Sequence, residues 1–196
     1  MSRTATIGRV TGETDIRVEL NLDGQGHADI QTGVGFLDHM LTSFAKHGFL
    51  DLTVRCQGDL QTGSHHTIED VGICLGQALG QALGDKRGIV RFATFTVPMD
   101  EALCMASVDI SGRPYLAFEA DLPQSHQLGN FEVETAEDFF RALCFAAGIT
   151  LHVREITGSN AHHVLEAMFK AVARALDGAS RLDARVEGVP STKGVL

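Results

Sequence analysis

One motif, His-His-x-x-Glu, occurs twice in the chain, and this repetition restricts the possible folds more than any other feature. The two copies consist of His65, His66 and Glu69, and of His162, His163 and Glu166. In a helix of 3.6 residues per turn, the glutamate lies one turn beyond both histidines, whereas the adjacent histidines point about 100° apart. Each motif is therefore suited to contact two different partners at once.

The repetition extends upstream of both motifs. The matching blocks are residues 38–55 with residues 137–154, and residues 13–24 with residues 101–112. In this alignment Glu13 falls opposite Glu101. Blocks repeated in the same order are typical of a duplicated half-domain. We therefore predict a single domain over residues 1–196, built of two internal repeats at approximately 1–92 and 93–196.

Each half has the pattern of strands, a helix, a strand and a second helix. Alternating apolar and polar residues predict one hairpin in each half, across the turns DGQG and SGRP. The paired segments are residues 15–22 with 27–32, and residues 104–110 with 115–120. The helical period covers residues 37–48 and 135–147, and strands are predicted directly after them at 50–55 and 149–154.

The helices that begin with the two motifs carry apolar residues at intervals of three and four, which is typical of a face that packs into a core. These residues are Ile68, Val71, Leu75, Ala78 and Ala82 in the first helix, and Leu165, Met168, Val172, Ala175 and Leu176 in the second. A chain of 196 residues that is 44% hydrophobic can bury one sizeable core or two small fused ones. We predict an α/β fold, an α+β sandwich of two duplicated half-domains, each with a β-sheet covered on one face by helices.

The charge and the hydropathy pattern argue against several classes of protein. The formal net charge is -9 and the sequence pI is about 5.4, which does not suit an extended nucleic-acid surface. No apolar run reaches the length of about 18 residues that a membrane helix needs, and the N-terminus lacks the apolar segment of a signal peptide. The four cysteines form no C-x-x-C pair and lie among apolar neighbours, as reduced core thiols do. We expect a cytoplasmic protein without nucleic-acid or membrane partners.

The two motifs together supply four imidazoles and two carboxylates, a set that suits metal binding. Because adjacent histidines diverge, the simplest arrangement is two metal sites, each with ligands from both halves. Imidazole and carboxylate without thiolate suit a divalent transition metal such as Mn, Fe or Zn. His39 is expected to complete one site, unless it is a buried histidine bonded to the backbone. At the other site we prefer Asp138, which the repeat aligns with His39, over the alternative ligand His152 on the strand at 149–154.

With these residues in view, the chain resembles the imidazoleglycerol-phosphate dehydratase family, whose members act in histidine biosynthesis. The resemblance runs nearly end to end and is carried by the segments GETDI, GFLDHML, HHTIEDVGI, LGDKRGI, VPMDEAL, DISGRP, HHVLEAMFKA and VPSTKG. It implies the ribosomal protein S5 domain 2-like fold, two Mn(II) ions per active site, and a homo-oligomer of 24 subunits with sites between subunits. The family often has a histidine at the position of Asp138.

The resemblance also implies a reaction, the removal of water from imidazole glycerol phosphate to give imidazole acetol phosphate. The proton to be removed is not next to a carbonyl and is therefore not acidic. A metal-bridged imidazolate would expel the adjacent hydroxyl and give a diazafulvene intermediate, whose neighbouring proton is acidic. Glu13 is the expected general base. Glu101 is either a relic of the duplication or a second acid or base.

The substrate's phosphate needs cationic and neutral donors, and the resemblance implies six residues for substrate binding. They are His47, Arg91, Arg113, Lys170, Ser191 and Lys193. Arginine can bind two phosphate oxygens at once, and serine adds a neutral donor. Any of the charged residues could equally lie on an ordinary surface, and His47 could simply complement the dipole at the end of its helix. Two other functions would use the same metal ligands: a metal-dependent hydrolase such as a phosphatase, and a shell that stores metal.

Overall fold

The computed structural model describes residues 3–123 and 125–196. Within these residues the strands are β1 (Thr4–Val10), β2 (Thr14–Asn21), β3 (Ala28–Gln31), β4 (Asp51–Gly58), β5 (Phe92–Met99), β6 (Ala102–Asp109), β7 (Tyr115–Glu119), β8 (Gln127–Leu128), β9 (Phe131–Glu132) and β10 (Thr150–Thr157). The α-helices are α1 (Gly35–Gly48), α2 (His65–Leu83), α3 (Thr135–Ala147) and α4 (Ala161–Ser180), and a short 3-10 helix spans Leu60–Thr62. The predicted helices, and the strands predicted directly after α1 and α3, are confirmed.

The longer strands form two four-stranded sheets of the same topology. The strand order is β1-β2-β4-β3 in one sheet and β5-β6-β10-β7 in the other. In both sheets the first three strands are antiparallel to their neighbours and the last pair is parallel. The register repeats as well, since Arg9 pairs with Ile16 and the aligned Val97 pairs with Cys104. This arrangement confirms the predicted fold class, while the repeat boundary near residue 92 stays a prediction.

The two hairpins predicted across DGQG and SGRP are wrong. β3 and β7 do not pair with the strands that precede them but lie parallel to β4 and β10. β4 carries the buried residues Leu52 and Val54, whereas the side chains of β3 are exposed or half-buried, so β4 takes the central position and β3 the edge. The hairpins that do form join β1 to β2 and β5 to β6 across short turns at Thr11–Glu13 and Asp100–Glu101. Alternation predicts a strand correctly but does not specify its partner.

The helices lie between the two sheets and cover one face of each. α2 packs on β1 and β2, and α4 packs on β5 and β6, while α2 faces α3 and α1 faces α4 across the middle. Along β2, alternate residues Ile16, Val18 and Leu20 are buried on the helical side. Every residue of the two predicted apolar stripes on α2 and α4 is buried in the same core. The core therefore sits between the sheets and holds the starts of the motif helices in fixed positions.

A short hairpin formed by β8 and β9 lies against the start of α1. The Asn130 side chain donates to the Gly33 carbonyl at 2.9 Å and accepts from the Gly35 N–H at 3.3 Å. Phe131 is fully buried and packs edge-on against Phe36, with ring centroids 5.2 Å apart. Because these contacts come from the second half, they fix the first turn of α1 relative to that half.

The cysteines have the surroundings that their sequence neighbours predicted. All four are free thiols, and Cys74, Cys104 and Cys144 are fully buried. Burial raises the pKa of Cys104 and of Cys144 to about 12, so both stay protonated at neutral pH. They act as small core residues.

None of the helices in the described parts of the chain combines the length and the apolar character needed to cross a membrane.

The packing predicts how much one core aromatic contributes to the free energy of unfolding. Phe140 is fully buried on α3, with its ring centroid 4.8 Å from that of Phe169. Phe140→Ala should lower the free energy of unfolding by about 3–5 kcal/mol, because it leaves a cavity that the surrounding core cannot fill. Phe145→Ala on the same helix is the control, since that ring is 57% exposed and should cost far less. Denaturant unfolding measures both variants, and equal losses would contradict the described packing.

Candidate active site

Three candidate ligands from the two halves meet at the starts of α1 and α4. His39 Nε2 lies 3.3 Å from Glu166 Oε2, and His162 Nε2 lies 3.2 Å from the same oxygen. One donor atom from each side chain lies within 4.8 Å of the other two. The Phe36 ring packs edge-on against the His162 ring at 5.0 Å, which limits the orientations of that imidazole. We call His39, His162 and Glu166 the first cluster.

Glu166 is buried, and its carboxylate contacts a lysine on one side and two imidazoles on the other. Its other oxygen, Oε1, accepts from Lys170 Nζ at 2.6 Å. Burial alone would raise the pKa of Glu166, but the hydrogen bond and charge of Lys170, together with His39, bring it below its usual value. The carboxylate is thus ionised at neutral pH and directed at both imidazoles. Glu166 and Lys170 are four residues apart on one helix, so their contact could have been predicted from the sequence, but sequence reasoning did not select it.

A second cluster lies at the corresponding position of the other half. His65 Nε2 is 3.8 Å from Glu69 Oε2, and His65 Nδ1 is 3.8 Å from Asp138 Oδ2 on α3. His152, the alternative ligand, is on the exposed face of β10 beside Tyr115, at 6.0 Å between ring centroids. The geometry therefore favours Asp138 over His152 as the partner of His65. We call His65, Glu69 and Asp138 the second cluster.

The second histidine of the first motif faces the β1–β2 turn of its own half. His66 Nδ1 lies 3.0 Å from Asp59 Oδ2, and His66 Nε2 lies 3.7 Å from Glu13 Oε1. The hydrogen bond with Asp59, reinforced by the charge of Glu13, raises the pKa of His66 above its ordinary value. Asp59 thus fixes the ring orientation and leaves Nε2 directed at Glu13. Sequence reasoning missed Asp59, although an acidic residue a few positions before the motif is a signal that could have found it.

The second motif repeats this arrangement with other residues. His163 Nδ1 lies 2.7 Å from Glu101 Oε2, and His163 Nε2 lies 3.8 Å from Asp100 Oδ2. The hydrogen bond from His163, and then that from the Asn160 N–H, lower the pKa of Glu101 to about 2. Glu101 therefore occupies the position that Asp59 has at His66, although the repeat aligns it with Glu13. The residue that faces Nε2 is Asp100, which sequence reasoning did not select.

Two of the predicted phosphate donors contact one carboxylate at the far end of β5. Arg91 Nε donates to Asp109 at 2.8 Å and Arg91 Nη1 donates to the Pro190 carbonyl at 2.8 Å, while Arg113 Nη2 lies 3.5 Å from Asp109. Arg91 thereby holds the C-terminal tail at Pro190, and Ser191 and Lys193 come shortly after that residue. In that tail, the Lys193 N–H donates to Ser191 Oγ at 3.2 Å. These four predicted substrate residues are thus brought into one region.

The other two predicted substrate residues lie near the first cluster. His47 is in the last turn of α1, and burial followed by the nearby Lys170 charge lowers its pKa. Lys170 Nζ also contacts the sulfur of Met99, which ends β5, whereas Arg91 lies just before that strand. An eight-residue strand is roughly 25 Å long, so one copy of the chain does not bring Arg91 and Lys170 together.

These side chains have the chemistry of an acid–base centre that can also hold metal. Two imidazole–carboxylate clusters are shared between the halves, and a carboxylate faces the second histidine of each motif. The fold and these clusters define a duplicated α/β enzyme with paired histidine–carboxylate centres.

Comparison with known proteins gives the family. A family model described as imidazoleglycerol-phosphate dehydratase matches residues 32–176. The chain is 59% identical over 196 residues to the imidazoleglycerol-phosphate dehydratase of Acetivibrio thermocellus, covering 100% of both chains. It is 60% identical over 195 residues to that of Thermoanaerobacter pseudethanolicus, covering 99% of this chain and 100% of the relative. The chain belongs to the imidazoleglycerol-phosphate dehydratase family, and it is a dehydratase, an enzyme of the lyase class.

Solved structures of the same family have the same fold. The crystal structure of imidazoleglycerol-phosphate dehydratase from Staphylococcus aureus superposes with a TM-score of 0.83 at 43% identity, covering 92% of this chain and 99% of that one. The Pyrococcus furiosus structure, in complex with (S)-C348, gives a TM-score of 0.81 at 38% identity, covering 97% and 100%. The resemblance stated from the sequence motifs is thereby confirmed.

The second cluster predicts the effect of removing Asp138. If the two clusters hold metal as the sequence predicts, Asp138→Ala should weaken or empty one of the two sites, since His65 loses its partner from the other half. Asp138→His should keep both sites and favour Zn or Ni more than the carboxylate does. The control is Glu137→Ala on the same helix, which removes only an exposed pair with Arg141. Metal content per subunit of the purified variants is the measurement. Two filled sites at normal affinity in Asp138→Ala would remove this residue from the ligand set.

Proposed function

We propose that this chain dehydrates imidazole glycerol phosphate to imidazole acetol phosphate and water in histidine biosynthesis. One observation carries the proposal: the Glu13 carboxylate faces Nε2 of His66 at 3.7 Å. His66 is on α2, the helix that also carries the proposed ligands His65 and Glu69 of the second cluster. A carboxylate beside a metal-binding helix is suited to accept a proton from a bound imidazole substrate. Membership of the family whose name states this substrate supports the same reaction.

We further propose that the two clusters hold two divalent metal ions, with Mn(II) expected from the family resemblance. The donor set fits such ions, because the first cluster brings two imidazoles and an ionised carboxylate within 4.8 Å of one another without any thiolate. The proposed ligands are His39, His65, His66, Glu69, Asp138, His162, His163 and Glu166. Bound metal would supply Lewis acidity and a template for the imidazole ring.

The residues of the chain account for the remaining chemistry. Arg91, Arg113, Lys170, Ser191 and Lys193 supply N–H and O–H donors that neutralise and orient the phosphate, with His47 beside Lys170. The hydroxyl leaves the carbon next to the ring as hydroxide, which is protonated to water, and this loss makes the neighbouring proton acidic. Removal of that proton gives an enol, which takes up a proton at the carbon next to the ring to become the ketone.

Glu13 then takes the proton at its carboxylate. Its side chain is about half exposed, so it is open to a ligand that approaches from solvent. The Asp59 hydrogen bond holds His66 in the orientation that directs Nε2 toward the same space.

We also propose that the complete site forms between copies of the chain, in a homo-oligomer for which the family resemblance implies 24 subunits. Two observations support this. Arg91 precedes β5, whereas Lys170 of α4 contacts Met99 at the other end of that strand, so the two cations are too far apart to bind one small phosphate ester. Among the described residues, the carboxylates that contact His66 and His163 all come from the histidine's own half, which leaves each imidazole able to serve a cluster on a neighbouring copy.

The proposed reaction is tested by its products. Purified protein with Mn(II) and imidazole glycerol phosphate should form the ketone imidazole acetol phosphate without free phosphate. A metal-dependent phosphatase would instead release phosphate, also from generic esters, and a storage shell would convert nothing. The first cluster alone would suit a dehydratase, a phosphatase or a storage shell. Glu13 and the cationic residues proposed to bind the phosphate favour the dehydratase. Either of the other two outcomes would refute the proposed reaction.

Replacing the proposed base gives a quantitative expectation. Glu13→Gln keeps the shape of the side chain but removes its basicity, so kcat should fall by roughly 10²- to 10⁴-fold. Metal content and substrate affinity should stay close to those of the unchanged protein. Glu19→Gln on the same hairpin is the control, because among the described residues the Glu19 carboxylate pairs with Arg17 alone, on the exposed face. Steady-state kinetics measure both, and normal turnover in Glu13→Gln would transfer the role of base to another carboxylate.

A further inference from the structure

The turn that carries Glu13 is held from several sides. The Glu13 N–H donates to Thr11 Oγ1 at 3.1 Å within the turn. The Glu13 carbonyl accepts from the Asp59 N–H at 3.0 Å, and Asp59 in turn binds His66. The strands on both sides of the turn are tied to α2 by a single carboxylate, that of Asp70.

Asp70 follows Glu69 on α2 and is directed into the space between the helix and the β1–β2 hairpin. Asp70 is only 6% exposed. Its Oδ2 accepts from Thr14 Oγ1 at 2.5 Å and forms an ion pair with Arg9 Nη1. Thr14 is the residue directly after Glu13, and Arg9 lies on the opposite strand just before the turn. One buried carboxylate therefore bonds to both strands of this hairpin.

The second half shows that the packing itself does not need this network. The repeat aligns Arg9, Thr14 and Asp70 with Val97, Ala102 and Ala167, all of them apolar. The strands pair in the same register, and α4 packs on β5 and β6 as α2 packs on β1 and β2. The same hairpin and helix thus assemble with apolar residues at all three of these positions.

A buried ion pair contributes little to stability compared with well-packed apolar residues, because both charges lose their hydration. The charged network is found in the half whose turn carries Glu13, and the apolar version is found in the half whose turn carries Glu101. Glu101 is fixed by other means, since it accepts hydrogen bonds from the Asn160 N–H and from His163. Glu13 has no such side-chain bonds beyond its approach to His66 among the described residues. Its position depends on the backbone of its turn.

We propose that Asp70 is a positioning residue for Glu13, which acts through Thr14 and Arg9 to fix the turn, and hence the carboxylate, relative to His66. The inference rests on the proposed role of Glu13 as the base. Rigid placement matters for proton transfer, since a misplacement of about 1 Å can lower a rate roughly 10²-fold. Because α2 carries both Asp70 and the ligands His65 and Glu69, this link also ties the base to the metal-binding helix.

The test gives the first half the residues of the second. The triple variant Arg9→Val, Thr14→Ala, Asp70→Ala installs the apolar set with which the aligned hairpin already packs, so the chain should fold and assemble as before. We expect kcat to fall by about 10- to 10²-fold while KM and metal content per subunit stay close to their original values. Asp70→Asn, which keeps an acceptor for Thr14, should lose less. Asp23→Ala, which breaks the Arg3–Asp23 pair elsewhere in the same half, should leave kcat unchanged.

Combination with Glu13→Gln distinguishes positioning of the base from other effects. If Asp70 acts through Glu13, the triple change should lower kcat no further in the Glu13→Gln background, so that the two effects are strongly non-additive. Full multiplication of the two losses would overturn the inference. So would loss of metal from the triple variant, because Asp70 would then act on its neighbour Glu69.

Hydrogen exchange separates this inference from the proposed function. The amides of residues 11–14 should exchange faster in the triple variant, and those of α2 should not change. Unchanged exchange in the turn would overturn the positioning role, whatever the activity. Faster exchange in a protein without dehydratase activity would refute the proposed function and, with it, the catalytic use of this placement. Normal turnover of the triple variant would overturn the inference while leaving the function intact.

Discussion

The divergence of two adjacent histidines on a helix determines most of the arrangement at this site. Side chains at successive helical positions point about 100° apart, so His65 and His66 cannot serve one centre on the same side of α2. In each motif the first histidine meets a residue of the other half, Asp138 for His65 and His39 for His162. The second histidine meets carboxylates of its own half, including one on the hairpin turn. Each motif helix thereby connects the interface between the halves to a carboxylate on a turn.

The duplication supplies two copies of this geometry, which have then diverged in chemistry. In one half the imidazole Nδ1 atom is bound by Asp59 and the turn presents Glu13 to Nε2. In the other half Glu101 binds Nδ1, and Asp100 is near Nε2. With a pKa lowered to about 2, Glu101 stays ionised and serves as an acceptor that orients its histidine. The two turns thus have the same backbone register and different side-chain contacts.

The residues between each hairpin and its motif helix also differ in charge, for a related reason. A glutamate held by several hydrogen bonds needs little support from its backbone, whereas a glutamate without such bonds, as the proposed base Glu13 is among the described residues, is located through its backbone. Asp70 provides that support in the half that carries Glu13. Apolar residues fill the same space in the other half, where the orientation of the carboxylate is fixed directly.

The sequence by itself determined the repeat, the helices, the strands after α1 and α3, the buried stripes, the family and the candidate ligands, because periodicity and motif spacing are local properties of the chain. It also favoured Asp138 through alignment with His39. Only the tertiary structure decided the strand partners, since β3 and β4 both alternate and their relative burial selects the central one. It also showed that Glu101 corresponds to Asp59 in its contact, and that Arg91 is bonded to Asp109 and the tail. These facts depend on which atoms of distant residues meet, and a repeat alignment fixes the positions of backbones but not the directions of the side chains attached to them.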